Sequence, residues 1–352
     1  MIRKLSEYEM VTRLAEGELL LSPLRIARRR TDDLGRADAR IEIGWPDQGE
    51  SFPFVVEVKP QSTPQAVMGA VAQAKANARP GEYPMVLVPF LSPERLAELE
   101  REAVSGIDLC GNGLIVVPGR LYILRSGQPN IYPESRPLNN PYRGRSAMVA
   151  RRLLSQPRQG SLGDLRAAIQ ESGADLSLSQ VSKAVTAMQE DLILSKAGGA
   201  ITLQEPLRLL DSLARAWSGN SVKDRRALRI SPDLDWASAF SSAPELKWAI
   251  TGESSARRYT SFSQGGPRQI AVSSLTLALR VLDGAPEEIP SFADIELIES
   301  GEAGLYFANE VDKTGQRWAS RLQTWLELQA GDARQQEAAK DIRVQILKEV
   351  KP

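Results

Sequence analysis

The sequence predicts a multidomain protein of α/β and α+β class. Three observations carry that prediction. Over residues 1–128, short apolar runs rich in valine and isoleucine alternate with helix-length stretches, as in an α/β domain. Over 146–205, three helical periodicities precede two short apolar runs joined at Gly198-Gly199, a helical unit closed by a hairpin. Between them, Arg125 to Arg145 holds Pro129, Pro133, Pro137 and Pro141 with Asn130, Asn139 and Asn140, a composition that breaks helices and strands alike, and the linker is placed at 129–145. Residues 206–352 read as a C-terminal mixed α/β domain, with a weaker break over Gly219–Pro232.

In the first domain, Ala39-Arg40-Ile41-Glu42-Ile43 and Phe54-Val55-Val56-Glu57-Val58 read as two strands, with turn residues Gly44, Pro46 and Gly49 between them. On such a hairpin the strand ends meet, so Asp38 and Glu57 converge as candidate metal ligands. Carboxylate oxygens suit Mg²⁺, which keeps several waters and needs only one or two protein carboxylates. Side chains alternate along the second strand, so Glu57 and Lys59 share one face while Val58 enters the core. The Lys59 ammonium then stands where it can position a water or stabilise charge on a phosphate under attack. An acid-x-Lys triplet after an apolar strand also occurs as a strand end with solvated charges. A helix over Gln65 to Ala78 follows, then the apolar strand Pro84 to Pro89, a charged helix from Pro93 to Ala103, and Gly106 to Asn112 leading into Leu114 to Val117. Upstream, Arg25-Ile26-Ala27-Arg28-Arg29-Arg30 is a basic cluster beside the first site strand. Arg28, Arg29 and Arg30 can lie along a phosphate backbone or form a solvated edge.

The acid on one strand and the Glu57-Val58-Lys59 triplet on the next resemble the PD-(D/E)xK nuclease superfamily, the restriction-endonuclease-like fold. The resemblance covers residues 1–128 or so. It implies Asp38 and Glu57 as metal ligands and catalytic groups, Lys59 as a third catalytic group, and Mg²⁺ as cofactor if the site is active. The superfamily also holds many members that kept the fold and lost catalysis. A helix glutamate often completes its site, and Glu7, Glu9, Glu16 and Glu18 are available; Gln61 or Gln73 could assist, at positions that match the family only loosely.

Composition excludes several chemistries. There is no histidine, which removes Ser-His-Asp and Cys-His catalysis, His-ligated zinc and imidazole acid-base work. The single cysteine, Cys110, cannot form an intrachain disulfide and reads as a buried structural thiol. Lys plus Arg and Asp plus Glu balance at 44 each, so any nucleic-acid contact must come from local clustering. No run reaches the roughly 18 apolar residues of a membrane span and the N-terminus has no apolar signal core, so a cytoplasmic protein without a membrane partner is expected. No Gly-x-x-x-x-Gly-Lys-Ser/Thr phosphate loop is present.

In the central unit, a first helix runs from Met148 to Ser155 and a second follows the cap Ser161. A third, capped by Ser177 or Ser179, buries Val181, Val185 and Met188, and Ile193–Lys196 and Ala200–Leu203 close the hairpin. Three helices and a wing make a winged helix-turn-helix. Its third helix would present Ser179, Gln180, Ser182, Lys183 and Thr186 to the major groove of double-stranded DNA, with Lys196 of the wing on phosphate. Winged helices also serve as protein-contact and dimerisation modules.

The C-terminal region carries a helix from Pro206 to Trp217, an apolar Leu246 to Ile250 running into Thr251-Gly252-Glu253-Ser254-Ser255-Ala256, strands near 269–272 and 295–298, then Leu322-Gln323-Thr324-Trp325-Leu326-Glu327-Leu328 and a helix from Gln335 to Lys348. With the winged helix before it, this order resembles the AbiEi-type antitoxins of bacterial type IV toxin–antitoxin systems. Longer relatives there carry a nuclease-like domain with an Asp-Leu-x-Gly-Asn segment, here Asp108 to Asn112. The resemblance implies operator binding by the winged helix, transcription regulation, a homodimer, and a nucleotidyltransferase toxin as partner. Gly252-Glu253-Ser254 and Asp294-Ile295-Glu296 also resemble elements of the nucleotidyltransferases themselves, but about forty residues separate them, where those enzymes keep them close. Two readings stand: a DNA-binding regulator of antitoxin type, and a Mg²⁺-dependent DNA endonuclease targeted by its winged helix.

Overall fold

The computed structural model describes residues 5–30, 36–46, 49–132, 140–217, 222–261, 265–282, 287–288, 292–301, 306–307 and 310–350. Residues 133–139 of the expected linker lie outside these, as do Gly219, Asn220 and Ser221 of the weaker break. The chain is mixed α/β and divides into two compact units, Met1–Leu138 with Glu190–Leu192, and Asn139–Gln189 with Ile193–Pro352.

The first unit is built on a seven-stranded sheet in sequential order: β1 (Arg25–Arg30), β2 (Ala39–Gly44), β3 (Ser51–Val58), β4 (Tyr83–Val88), β5 (Ser105–Asp108), β6 (Gly113–Val117) and β7 (Leu121–Arg125). β1, β2 and β3 are antiparallel, β3, β4 and β5 parallel, and β5, β6 and β7 antiparallel. Parallel pairs need a crossover. α2 (Pro64–Asn77) supplies the first and α3 (Pro93–Arg101) the second, each starting on a side-chain cap, Thr63 and Ser92, with proline in the first turn. Strand alternation then splits the core in two. Ile41, Ile43, Phe54, Val56, Val58, Met85 and Leu87 face Met10 and Leu14 of α1 (Glu7–Ala15). Val86 and Val88 face Val67, Ala70 and Val71 of α2 and Leu96 and Leu99 of α3. The sheet is therefore covered on both sides, with Glu57 on the α2 side.

The second unit opens with α4 (Ala147–Ser155), β8 (Arg158–Gln159), α5 (Leu162–Glu171), α6 (Leu178–Glu190), β9 (Leu194–Ala197) and β10 (Ala200–Leu203). β8, β10 and β9 form a three-stranded antiparallel sheet. Gly198 and Gly199 turn the hairpin with φ of 58° and 90°, a pair of left-handed residues that a two-residue hairpin favours. α7 (Pro206–Ala216) leads into β11 (Val222–Arg229), so most of the weaker break is in fact a strand. Its mostly charged sequence hid it: β11 pairs with β15 (Ile295–Ser300) and sets Arg225 against Glu296 at 3.2 Å. α8 (Trp236–Ser241), β12 (Trp248–Ile250), α9 (Gly252–Tyr259), β13 (Arg268–Val272), α10 (Leu275–Val281), β14 (Glu287–Glu288), β15, β16 (Glu310–Val311), β17 (Arg317–Trp318), α11 (Arg321–Gln329) and α12 (Ala333–Glu349) complete the unit. Its large sheet runs β14-β11-β15-β13-β12-β17-β16. One buried cluster holds Val149, Leu153, Leu165, Val185 and Met188 together with Leu209, Leu213, Trp325, Ile342 and Ile346, so residues 147–213 and the C-terminal helices share a core.

Candidate functional site

The β2–β3 ladder sets Ala39 opposite Val56. The next rung outward brings Asp38 opposite Glu57, so the two expected carboxylates do converge. Asp38 Oδ2 accepts from the Val58 amide at 2.7 Å, which closes the end of the ladder and leaves the other carboxylate oxygen without that bond. Glu57 is 3% exposed, and its Oε1 accepts from Asn77 Nδ2 at 2.7 Å. Burial pushes the Glu57 carboxyl above its usual range; Asn77 opposes this, the neighbouring Asp38 charge adds to it, and Lys59 opposes it. The Lys59 amide continues into β4 by donating to the Leu87 carbonyl at 3.0 Å. Asp38 and Lys59 therefore both act on Glu57 at the end of β3.

Two residues behind this trio are not apparent in the acid-x-Lys pattern. Asn77 holds Glu57 from the last turn of α2, and its carbonyl accepts from Arg40 Nη2 at 2.9 Å. Arg40 is 4% exposed and lies 3.6 Å from Glu82. Together they tie the end of α2 to β2 and fix the height of Asn77 above Glu57. The sequence did hold a signal: Asn77 continues the buried stripe Val67, Ala70, Val71, Ala74, where an apolar residue is the rule. Gln73 and Gln61 are exposed instead. The N-terminal glutamates lie with α1, which packs on the face of Val56 and Val58, opposite Glu57. Glu9 is committed to a capping box with Ser6, and Glu18 to Arg13 at 2.8 Å.

The Asp108–Asn112 segment has its own task. Asp108, 1% exposed, accepts four hydrogen bonds at 2.8 Å, from the amides of Leu91, Cys110 and Asn112 and from Asn112 Nδ2. Asn112 in turn accepts from the Gln128 amide at 2.8 Å. Every side of this carboxylate is occupied, so it is a loop clamp. Cys110 is half-buried and its Sγ donates to the Pro89 carbonyl at 3.4 Å, while burial pushes the thiol up.

The Asp38 and Glu57 carboxyl groups also stand within hydrogen-bond reach of each other. Two close carboxylates fit Mg²⁺, because a cation between them would relieve their like charge. Among the described residues no group of three or more acidic or cysteine side chains gathers as a metal site.

On α6, Ser179, Gln180, Lys183 and Thr186 are exposed and Ser182 is half-buried, while Val181, Ala184, Val185 and Met188 face inward. Gln180 is partly committed: its Oε1 accepts from the Ser177 amide at 2.9 Å and its own amide donates to Ser177 Oγ at 3.2 Å. This is a capping box, visible in Ser177-x-x-Gln180, and it settles Ser177 as the cap. Lys196 is exposed on β9. β8, unread in the sequence, brings exposed Arg158 opposite Thr202, one rung from the Ile201–Lys196 pair. Arg28 is exposed on the edge strand β1, opposite Glu42. The side chains of Arg29 and Arg30 lie outside the described residues; their backbone pairs with Ile41 and Arg40.

The turn before α9 is closed by protein groups. Glu327 accepts from Thr251 Oγ1 at 2.7 Å and the Gly252 amide at 2.6 Å, and Gln269 Oε1 accepts from the Glu253 amide at 2.9 Å. A carboxylate of the chain thus takes up the Thr251 hydroxyl and the Gly252 amide of this turn.

Searched against known protein families, curated proteins and solved structures, the chain finds no match. No helix among the described residues is long and apolar enough to cross a membrane.

Proposed function

We propose that the chain is a DNA-binding regulator, in which residues 147–203 act as a winged helix-turn-helix and α6 enters the major groove. The observation that carries this reading is the division of α6 into a buried apolar stripe and an exposed polar ridge of Ser179, Lys183 and Thr186, with Lys196 and Arg158 on the adjoining sheet. Small hydroxyls and one lysine contact base edges and phosphate without crowding the groove. Within this reading the chain resembles the AbiEi-type antitoxins, the first unit is a restriction-endonuclease-like scaffold, and a homodimer on a palindromic site and a nucleotidyltransferase toxin are its expected partners. The test is a mobility shift with double-stranded DNA from upstream of the chain's own coding region against scrambled DNA. Preferential binding lost in Lys183→Ala supports the regulator, and equal affinity for both DNAs overturns it.

A second reading rests on a separate observation, the convergence of Asp38, Glu57 and Lys59. Here the first unit is a Mg²⁺-dependent endonuclease. Asp38 and Glu57 would hold the ion, which when bound supplies Lewis-acid charge stabilisation and a more acidic water. Asn77 and the Val58 amide keep the two carboxylates oriented, and Lys59 aims a positive charge at the attacked phosphate. Nicking of supercoiled plasmid with Mg²⁺ or Mn²⁺ but not EDTA, lost in Asp38→Ala, is the outcome this reading expects. Intact plasmid in all arms removes it.

A further inference from the structure

A cleft of about 280 Å³ opens in the second unit between α4 and the C-terminal helices α11 and α12. Arg151, Arg152 and Arg321 line it with a single carboxylate, Glu349, and with the hydroxyls of Ser155, Ser172 and Ser320. Each charge has a traceable disposition. Arg321 pairs with Glu349 and lies over the Tyr259 ring, 5.4 Å from its centroid. Arg151 donates to Gln323 Oε1 at 2.8 Å. Arg152 makes only a neutral contact, Nη2 to Gln156 Oε1 at 2.8 Å, among its hydrogen bonds within the described residues. The Nε–H groups of Arg152 and Arg321 are both buried and have no hydrogen-bond partner among the described residues. A buried donor without a partner costs stability, and two on guanidinium groups at one cleft ask for an acceptor that carries negative charge. The remaining wall is aliphatic, including Met148, Leu154, Ile169 and Ile346. The cleft is of a size that suits a small molecule.

We infer that this cleft binds a small organic oxyanion, a phosphate monoester or carboxylate on a short aliphatic body, with Arg152 and Arg321 holding the charged end. Guanidinium groups recognise planar carboxylate and phosphate oxygens through paired donors, and the aliphatic wall accepts the remainder of the ligand. The inference is independent of the DNA-binding and nuclease readings, since neither gives these side chains a contact with DNA or metal and the test measures neither activity.

The experiment is thermal unfolding and calorimetric titration of the full chain with inorganic phosphate, glycerol 3-phosphate, 2-oxoisovalerate and uncharged glycerol, against sodium chloride at matched ionic strength. Saturable stabilisation by glycerol 3-phosphate or 2-oxoisovalerate, absent with glycerol, is expected. Arg152→Gln and Arg321→Gln should each weaken the Kd at least tenfold. Arg321 is also a structural ion-pair partner, so Ser155→Glu, an exposed position at the cleft, gives the independent variant: it should fold normally and weaken binding at least tenfold by charge repulsion. No probe exceeding the chloride control overturns the inference, as does a Kd unmoved by Ser155→Glu. Inorganic phosphate binding as tightly as glycerol 3-phosphate overturns the organic ligand.

Discussion

Glu57 shows how one side chain reports on its surroundings. Burial beside Asp38 raises its carboxyl above the ordinary glutamate value. Between the ordinary and the raised value the native state therefore holds more protons than the unfolded chain, so stability falls as pH rises through that window. Thermal melts from about pH 4 to about pH 8 in EDTA should show this slope, and Glu57→Gln should flatten it. If the second reading is right, saturating Mg²⁺ should stabilise the wild type but not the variant, a difference calorimetry resolves directly. Burial pushes the Asp108 carboxyl up as well, against the hydrogen bonds that fill it, and its role is to be filled. Asp108→Ala would strand several buried donors and should lower unfolding stability by about 3 kcal/mol or more, measured by urea denaturation. Asp38, Glu57 and Lys59 were legible because strand alternation and a short hairpin place side chains by counting. Asn77 left only a polar break in the apolar stripe of α2, and what it touches depends on how the helix packs above the sheet, here through the hold of Arg40 on its last turn.

At the scale of the element, caps and turns govern what a helix has left to offer. Gln180 spends its carbonyl on the start of α6, so a loss of DNA binding in Gln180→Ala would mix two causes. Gln180→Glu keeps the capping box and adds negative charge. It should leave the melting temperature within a degree or two while weakening DNA binding, a separation seen by pairing circular dichroism with the mobility shift. Gly252 is constrained differently: with φ of 58° and a Cβ that would stand 2.0 Å from Gln269 Oε1, Gly252→Ala should cost about 2 kcal/mol or more. α4 to α7, β9, β10, β13 and β15 follow from periodicity and caps. β8, β11 and β17 escape it, being two residues long or mostly charged, and they exist because a neighbour supplies their hydrogen bonds.

Across the whole molecule, the shared core of residues 147–213 with Trp325, Ile342 and Ile346 has a practical meaning. A fragment of residues 146–205 would expose the part of α4 that packs on α7, and should show no cooperative melt by circular dichroism, whereas residues 140–352 should unfold cooperatively. The 44 positive and 44 negative side chains give no net field to attract DNA, so affinity must come from a few local contacts. The dependence of log K on log salt should accordingly be shallow, and Lys183→Ala should reduce its slope by about one.

Among the described residues β1 pairs only with β2, which leaves its outer edge as the margin of the first sheet, and that margin carries Arg25 and Arg28 in exposed positions with a bulge between Ile26 and Arg28. Whatever else these arginines touch, they make a second copy of the same strand an unwelcome neighbour, since approach would bring like charges together along a kinked ribbon. Concentrated salt screens that repulsion. Handling the protein at high ionic strength therefore removes a guard against end-on growth of the sheet, and storage in dilute buffer preserves it.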